Sequence, residues 1–334
     1  MKFSLKILGL IIAVILLFVA VLAGVHVYNA KRYALPDIRS LSDSYETNDH
    51  VKSISGAYLS GFHFSPVERK HLGTVVVFGG SEGSPSYEHA KALFEQGYEV
   101  LALYFFGQPN QQQELVDVPL EFFDEVTAYI NGNVIEPKPV TVIGKSKGAE
   151  LVANLAARGA AIDNIVLYTP SSYTYQGLSF DGQPSSSFTH NGSPVPFVNF
   201  QDSAPSALGR MLFDTVLGLP VSYRPLYESA SDRTNNSEDA RIPIENFAGN
   251  GVLFAGDQDT MWQGDIAARE LSQRNPRLDA YVYSEAGHLF SQDITTLGKG
   301  WQRRFGGTVE GNRAAKQESD LVLREKLNGW HPVM

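Results

Sequence analysis

The chain has 334 residues, of which 43% are hydrophobic, and this is ample for one large α/β domain but small for two full domains beside the N-terminal segment. The formal net charge is −9 and no basic tract is present, so the composition argues against a nucleic-acid partner. The chain contains no cysteine, which excludes disulfides, a thiolate nucleophile, cysteine-ligated zinc and an acylated lipoprotein cysteine.

An uncharged apolar segment occupies residues 7–25 and follows Lys2 and Lys6. It is long enough to cross a bilayer as one helix, so we predict that residues 1–27 form a transmembrane anchor. A signal peptide cleaved after Ala23, giving a secreted protein, is the alternative. Because a short N-terminus usually stays in the cytoplasm, we expect a single-pass protein whose folded domain is extracytoplasmic, which in a bacterium means periplasmic.

Residues 28–50 are polar and contain Pro36, and they predict a tether to a domain that covers residues 51–334. Residues 51–65 alternate between apolar and polar side chains, as antiparallel strands do. Predicted strands and helices then alternate, which implies a mostly parallel sheet with helices on both faces. The predicted strands are 74–78, 99–106, 140–143, 164–168, 251–255 and 278–283, and the predicted helices are 87–96, 120–130, 149–158, 263–273 and 314–327.

Ser146 lies at the centre of the sequence Gly-Lys-Ser-Lys-Gly, between the strand that ends at Ile143 and a helix-forming run that begins at Ala149. A G-x-S-x-G pattern between a strand and a helix is the nucleophile elbow of an α/β-hydrolase fold. Glycine is needed because the turn is tight and holds the serine in a strained conformation. We therefore predict an α/β-hydrolase fold with Ser146 as the nucleophile.

A second G-x-S-x-G pattern, Gly79–Gly83, makes Ser81 the alternative nucleophile. Pro85 interrupts the start of the next helix, so Ser81 lies in a loop and not on an elbow. The pattern also comes too early, since an elbow strand needs at least two earlier parallel strands beside it.

The periodic pattern breaks over residues 171–239, which are rich in Ser, Pro, Asn and Gly, with one short helix predicted over 207–217. An irregular segment this long inside a compact domain is usually a functional insertion. It lies where such hydrolases commonly carry a cap over the pocket, and a flexible surface excursion is the alternative.

A serine nucleophile needs a histidine base, and the histidine needs a carboxylate partner. In this fold the three residues follow the order serine, acid, histidine. His288 comes directly after the last predicted strand and is the expected base, whereas His331 lies beyond the last helix.

The acid is expected after the strand that ends at Ala255, where the sequence Gly-Asp-Gln-Asp follows. Asp259 is the preferred candidate because the third residue after Gly256 has the reach to turn back towards a histidine. Asp257 is the second candidate, and Glu285, which is close to His288 in the sequence, is the third.

Acyl transfer at a serine also needs backbone donors for the oxyanion. We expect one from the amide of Lys147, directly after the nucleophile, and another from Gly80 or Ser81, with a glycine-rich turn that binds no ligand as the alternative for that loop. The side chains of Lys145 and Lys147 either attract an anionic substrate or are simply solvated. No metal-ligand spacing and no nucleotide-binding glycine loop is present, so no metal or cofactor is predicted.

Several segments, in the right order over residues 52–330, resemble the C-terminal domain of the acyl-CoA thioester hydrolase and bile acid-CoA:amino acid N-acyltransferase family. The similar segments are Gly79–Gly83, Leu101–Phe105, Pro119–Phe123, the G-x-S-K-G-x-E run Gly144–Glu150, Ile242–Glu245, Gly256–Asp259, Trp262, Gly287–His288 and Gly306–Thr308.

The resemblance implies a triad of Ser146, Asp259 and His288 that acts on acyl thioesters or esters. The family usually carries a β-sandwich domain before the hydrolase domain, and we expect that domain to be missing here because only a short tether follows the anchor. The insertion matches poorly, so acyl selectivity is not carried over. Members that transfer acyl groups to amino acids use cysteine, and serine here favours hydrolysis.

The leading hypothesis is therefore a membrane-tethered serine hydrolase that cleaves an acyl ester or thioester through an acyl-enzyme. The alternatives are an acyltransferase that uses the same acyl-enzyme and a non-catalytic binding protein that kept the fold. Acyl-CoA is cytoplasmic, so an extracytoplasmic domain requires another acyl donor.

Overall fold

The computed structural model describes residues 2–36, 45–179 and 182–334. Helix α1, Lys2–Arg32, contains the apolar segment and passes the predicted boundary at residue 27, because no proline or glycine follows Gly24 until Pro36. Its portion Ile7–Arg32 is largely exposed and contains an 18-residue stretch with a mean hydropathy of 3.2, which suits a membrane-spanning helix or a signal sequence. The predicted tether is thus helical at its start, and its residues 37–44 lie outside the described ranges.

The remaining elements alternate between strands and helices. In chain order they are β1 (Val51–Ser55), β2 (Ser60–Phe64), β3 (Thr74–Phe78), α2 (Tyr87–Phe94), β4 (Glu99–Leu103), β5 (Val118–Pro119), α3 (Phe122–Asn133), β6 (Val140–Lys145), α4 (Lys147–Ala157), β7 (Asn164–Tyr168), β8 (Phe188–His190), β9 (Ser193–Pro194), α5 (Pro205–Val216), α6 (Arg224–Arg233), α7 (Ser237–Ala240), β10 (Asn250–Gly256), α8 (Gly264–Arg274), β11 (Leu278–Tyr283), α9 (Trp301–Phe305) and α10 (Val309–Trp330).

Among the described residues, eight strands form one sheet in the order β1-β2-β4-β3-β6-β7-β10-β11. β2 pairs antiparallel with β1 and β4, and all later neighbours are parallel. β3, β4 and β7 are buried along their whole length, because helices cover both faces of the sheet. This arrangement confirms the predicted α/β-hydrolase fold.

Several element boundaries differ from the prediction by up to five residues. The strand expected over 99–106 ends at Leu103, and the last helix begins at Val309 rather than at residue 314. Thr308 caps that helix, since its side chain accepts a hydrogen bond from the amide of Gly311. This cap was not considered in the sequence-based prediction.

The insertion over residues 171–239 is more regular than predicted. The expected helix is present as α5, but α6 and α7 follow it, and β8 and β9 form a small sheet with β5. Pro225 lies in the first turn of α6, where a proline fits without breaking the helix. A cluster of aromatic and small side chains ties the insertion to the main domain, and its buried members are Tyr175, Val198, Tyr227, Ala230, Ala240 and Trp262.

Loops that follow β3, β6, β10 and β11 meet at one edge of the sheet, because parallel strands end on the same side. The four loops contain Ser81, Ser146, Asp259 and His288 respectively. The fold therefore gathers at one edge the side chains that the sequence singles out.

Candidate active site

Ser146 occupies a strained turn between β6 and α4, with φ 54° and ψ −121°. This region of backbone space is costly for any residue with a side chain, and such strain clusters at functional sites. A Cβ atom at Gly144 would lie 2.2 Å from the carbonyl oxygen of Gly148, and one at Gly148 would lie 1.9 Å from that of Gly79. Both glycines of the elbow are therefore required by close backbone contacts.

His288 joins Ser146 to Asp259 through both of its ring nitrogens. Its Nε2 lies 2.9 Å from the Ser146 Oγ, and its Nδ1 lies 2.7 Å from the Asp259 Oδ2. Because an ionised carboxylate only accepts, Nδ1 carries the proton and Nε2 is left to accept from the serine hydroxyl. The three predicted side chains thus form one continuous hydrogen-bonded chain.

Asp259 is fixed by its surroundings. It is 1% exposed, and its Oδ1 accepts hydrogen bonds from the amides of Met261 and Trp262 at 2.7 and 3.3 Å. Arg224, from the insertion, donates to the Asp259 carbonyl oxygen at 3.1 Å and pairs with Asp265 at 3.0 Å. No sequence signal identified Arg224 as a site residue, because Asp259 and Asp265 are distant from it along the chain. Its near partner, Glu228, indicates only a helical ion pair.

The structure separates the other candidate acids and bases from Ser146. Asp257 is exposed and its Oδ1 accepts from the amide of Glu285, so Asp257 holds the neighbouring loop instead of His288. Glu285 is itself exposed. His331 is fully buried between Thr141 and Leu72, near the amino ends of β6 and β3 and therefore at the edge of the sheet opposite to Ser146. Its ring nitrogens lie 2.7 Å from the Thr141 hydroxyl and from the Leu72 carbonyl oxygen.

The predicted oxyanion donors differ in their availability. Lys147 is the first residue of α4, so its amide has no carbonyl partner within the helix. The amide of Gly80 already donates to the Glu82 carboxylate at 2.9 and 3.0 Å, which removes it as a donor in this geometry. Within the described part of the chain the amide of Ser81 has no hydrogen-bond partner, and Ser81 lies beside Ser146 in the same cavity.

The side chain of Lys147 is 2% exposed, so the expectation that it is solvated or faces an anionic substrate is wrong. Its Nζ lies 2.9 Å from the Glu150 Oε2 and 2.8 Å from the Ser187 Oγ. Burial lowers the pKa of Lys147 and raises that of Glu150. The opposite charge and the hydrogen bond of each partner act against the pKa shift of the other. The i, i+3 spacing was visible in the sequence, but such spacing usually marks a solvated pair.

An apolar cavity of 400 Å³ opens on one side of Ser146 and His288. The insertion supplies most of its walls. The apolar side chains that line it are Leu178, Phe200, Met211, Tyr223, Leu226, Tyr227, Met261 and Trp262. Its volume and composition are those of a site for a small apolar group.

A second cavity, of 340 Å³, opens on the other side of the same two residues, and it carries charged side chains although most of its exposed lining is apolar. Its titratable lining side chains are Glu88, His89, Lys145, Tyr168, Lys316 and Asp320. Burial is the main reason that the pKa of Lys145 falls to about 8, and its Nζ lies 6.0 Å from the centre of the Tyr168 ring. Lys145 is therefore a cavity residue and not a simple surface charge.

The fold and sequence are similar to known proteins. The chain is 25% identical over 231 residues to acyl-coenzyme A thioesterase 6 of Mus musculus, covering 67% of this chain and 50% of the relative. It is 22% identical over 276 residues to bile acid-CoA:amino acid N-acyltransferase of Mus musculus, covering 78% of this chain and 60% of the relative. The chain thus spans roughly half the length of these curated relatives.

A solved esterase structure from Pyrococcus furiosus has the same fold, with a TM-score of 0.51 and 17% identity over 87% of this chain and 93% of the esterase. The family model for the C-terminal domain of the acyl-CoA thioester hydrolase and BAAT proteins matches residues 118–292, which is more than half of the 334 residues. The chain therefore belongs to the BAAT / acyl-CoA thioester hydrolase C-terminal family.

Proposed function

We propose that this chain is a serine hydrolase that cleaves an acyl ester or acyl thioester through an acyl-enzyme. The observation that carries the proposal is the chain of two hydrogen bonds from Ser146 through His288 to Asp259, at 2.9 and 2.7 Å. Family membership supports acyl transfer chemistry of the α/β-hydrolase type, since the relatives include thioesterases and an N-acyltransferase.

The reaction begins when His288 Nε2 takes the proton from Ser146 Oγ, which attacks the acyl carbon. Asp259 holds the imidazole in the required tautomer and stabilises the imidazolium that forms. The amides of Lys147 and Ser81 stabilise the oxyanion. His288 then gives the proton to the leaving thiolate or alkoxide, and water activated by the same imidazole releases the acid from the serine ester.

The two cavities suit the two halves of such a substrate. The apolar cavity, with a volume of 400 Å³, accepts the acyl group, and the second cavity, which carries Lys145 and other charged side chains, accepts the leaving group. The insertion over residues 171–239 then acts as a cap that supplies acyl selectivity. These roles of the two cavities and of the insertion belong to the same proposal.

We also propose that helix α1 is a single-pass membrane anchor and that the domain over residues 51–334 lies outside the cytoplasm. Its exposed apolar length from Ile7 supports this role. The acyl donor is then an ester or thioester available on that side of the membrane.

Hydrolysis of p-nitrophenyl acyl esters by the full chain in detergent tests the function. Ser146→Ala should lower the rate by at least about 100-fold, because the nucleophile is lost while the cavities remain. Ser53→Ala, exposed on β1 and four strands away from β6 in the sheet, is the matched control and should keep the wild-type rate. Equal rates for the wild type and Ser146→Ala would reject the assignment.

The similarity to an N-acyltransferase supports a second candidate, acyl transfer from the same serine ester. Mass spectrometry of the products with added amine or alcohol acceptors separates the two. We expect the free acid as the main product, because water resolves a serine ester readily. A predominant amide or a new ester would favour the transferase.

A further inference from the structure

Helix α5 of the insertion presents an apolar face to the outside. Leu212, Phe213 and Val216 are 56%, 56% and 54% exposed, and their spacing places them on one side of the helix. The opposite side carries the buried Asp214, which pairs with Arg303 at 2.6 Å. An apolar face of this kind on a fixed helix marks an interaction surface.

The end of α5 packs directly against helix α1. His26 Nδ1 lies 3.1 Å from the Val216 carbonyl oxygen, and Asn29 Nδ2 donates to the Leu217 carbonyl oxygen at 2.8 Å. Gly218 has φ +66°, and a Cβ atom there would lie 2.5 Å from the His26 carbonyl oxygen. The insertion is thus held at the point where the apolar segment of α1 ends.

This contact fixes the depth of α5 relative to a bilayer that α1 spans. The uncharged apolar segment ends at Val25, and His26 and Asn29 follow within about 6 Å along the helix axis. The headgroup region on each side of a bilayer is about 5–7 Å thick. The end of α5 therefore lies at the depth where lipid headgroups meet the acyl chains.

The segments around the same contact are basic and aromatic. Lys31 and Arg32 end α1, and the loop that contains Lys299 packs against α1's continuation, since a Cβ atom at Gly300 would lie 3.3 Å from the Tyr33 Cβ. Residues 26–36 and 297–301 contain no acidic residue, although the whole chain carries −9. Basic side chains near a membrane surface favour anionic lipids, and aromatic ones favour the interface.

We propose that α5 rests in the surface of the bilayer, with Leu212, Phe213 and Val216 among the lipid headgroups and upper acyl chains. The proposal rests on the proposed anchoring by α1. Met211 of the same helix lines the apolar cavity beside Ser146, so that cavity lies next to the membrane. The substrate class that follows is an acyl ester embedded in the lipid, which enters the cavity from the bilayer.

A nitroxide spin label tests the docking, because a chain without cysteine accepts a single engineered one cleanly. The full chain carries the label at Phe213→Cys, at Leu321→Cys as a matched exposed control, or at Val14→Cys inside the anchor. Each variant is placed in vesicles of equal parts phosphatidylcholine and phosphatidylglycerol. Leu321 is 62% exposed on α10, so it reports the aqueous surface.

The labels at positions 213 and 14 should collide with oxygen more often than with a water-soluble nickel chelate, because lipid dissolves oxygen and excludes the chelate. The ratio of the oxygen collision rate to the chelate collision rate should be at least about threefold higher at these two positions than at position 321. If the label at position 213 has the same collision ratio as the label at position 321, while the label at position 14 lies in lipid, the docking of α5 is rejected and the anchoring by α1 still holds. A label at 14 in water overturns both. Spin–spin broadening at 213 means that a second copy covers the face, and it also overturns the proposal.

Activity gives a second readout. The double variant Leu212→Glu/Phe213→Glu should lower hydrolysis of a long-chain ester in the same vesicles by about tenfold or more, since two charges are expelled from the interface. Hydrolysis of a soluble short-chain ester should stay unchanged, and Leu321→Glu should affect neither. Loss of both activities in the double variant, or of neither, would contradict the proposal. Absence of ester hydrolysis in the wild type would instead reject the proposed function.

Discussion

The aspartates of the loop after β10 differ in their partners although they are two residues apart. Asp259 is buried and touches the His288 ring, whereas Asp257 is exposed and accepts from the Glu285 amide. A carboxylate is needed only where an imidazolium forms. The two residues therefore form a matched pair for testing the role of the acid.

Asp259→Asn should reduce kcat for ester hydrolysis by roughly 10²–10⁴-fold, because the amide favours the wrong tautomer of His288. Asp257→Asn keeps an oxygen that accepts from the Glu285 amide, so its kcat should remain within about threefold of the wild type. Steady-state kinetics of both variants checks this. A larger loss in Asp257→Asn than in Asp259→Asn would reverse the assignment of the acid.

His331 has a structural role that its pKa makes measurable. Its Nδ1 donates to the Leu72 carbonyl oxygen, and its Nε2 accepts from the Thr141 hydroxyl. Burial is the main reason that its pKa falls from 6.5 to about 4. The unfolded chain therefore binds this proton at a higher pH than the folded chain does.

The free energy of unfolding should consequently fall as the pH drops from about 6.5 towards 4, by up to about 3 kcal/mol from this group. His331→Gln lacks the titrating ring, so the gap in stability between the wild type and the variant should narrow over that range. Denaturant unfolding in detergent at several pH values measures the gap. A gap that stays constant with pH would contradict this account of His331.

At the scale of elements, the buried pair Lys147–Glu150 joins the elbow helix to the insertion. Besides Glu150, the Lys147 Nζ lies 2.8 Å from the Ser187 Oγ, and Glu150 accepts from the Tyr175 amide at 3.1 Å. The Lys147 Nζ also lies 3.3 Å from the carbonyl oxygen of Gln176, which lines the apolar cavity, so the start of α4 is coupled to the cavity wall. Movement of the insertion would disturb the oxyanion donors.

Lys147→Met or Glu150→Leu alone should lower the free energy of unfolding by about 3–5 kcal/mol, because each leaves a buried charge without its partner. The double variant should recover much of that loss, since both charges are then removed together. Denaturant unfolding of the four proteins measures the coupling. Additive losses in the double variant would show that the pair is not energetically coupled.

The elements that carry the site were largely predictable from the sequence. Ser146, Asp259 and His288 each follow a strand of β-branched or apolar residues, and parallel strands end at one edge. Apart from α5, the arrangement of the insertion was not predictable, because α6 and α7 are mostly polar and the segment packs through scattered aromatic residues such as Tyr175 and Tyr227. For the same reason the burial of Lys147, whose Nζ reaches Ser187 in that segment, was missed.

At the scale of the whole molecule, the site lies between the sheet edge and an insertion that touches the N-terminal helix. The elbow is positioned by backbone contacts between β3, β6 and α4, and the apolar cavity is walled mainly by the insertion. Under the proposed function, chemistry and acyl selectivity therefore belong to different parts of the chain. Changes in the insertion should alter which acyl group is accepted before they alter the serine chemistry.

Covalent labelling with a fluorophosphonate, followed by peptide mass mapping of the full chain, tests the central claim most directly. We predict one adduct, on Ser146, that is lost in Ser146→Ala and forms at least about 100-fold more slowly in His288→Gln, because the hydroxyl then lacks its base. Folded protein that carries no adduct, or that carries it on Ser81, would contradict the account.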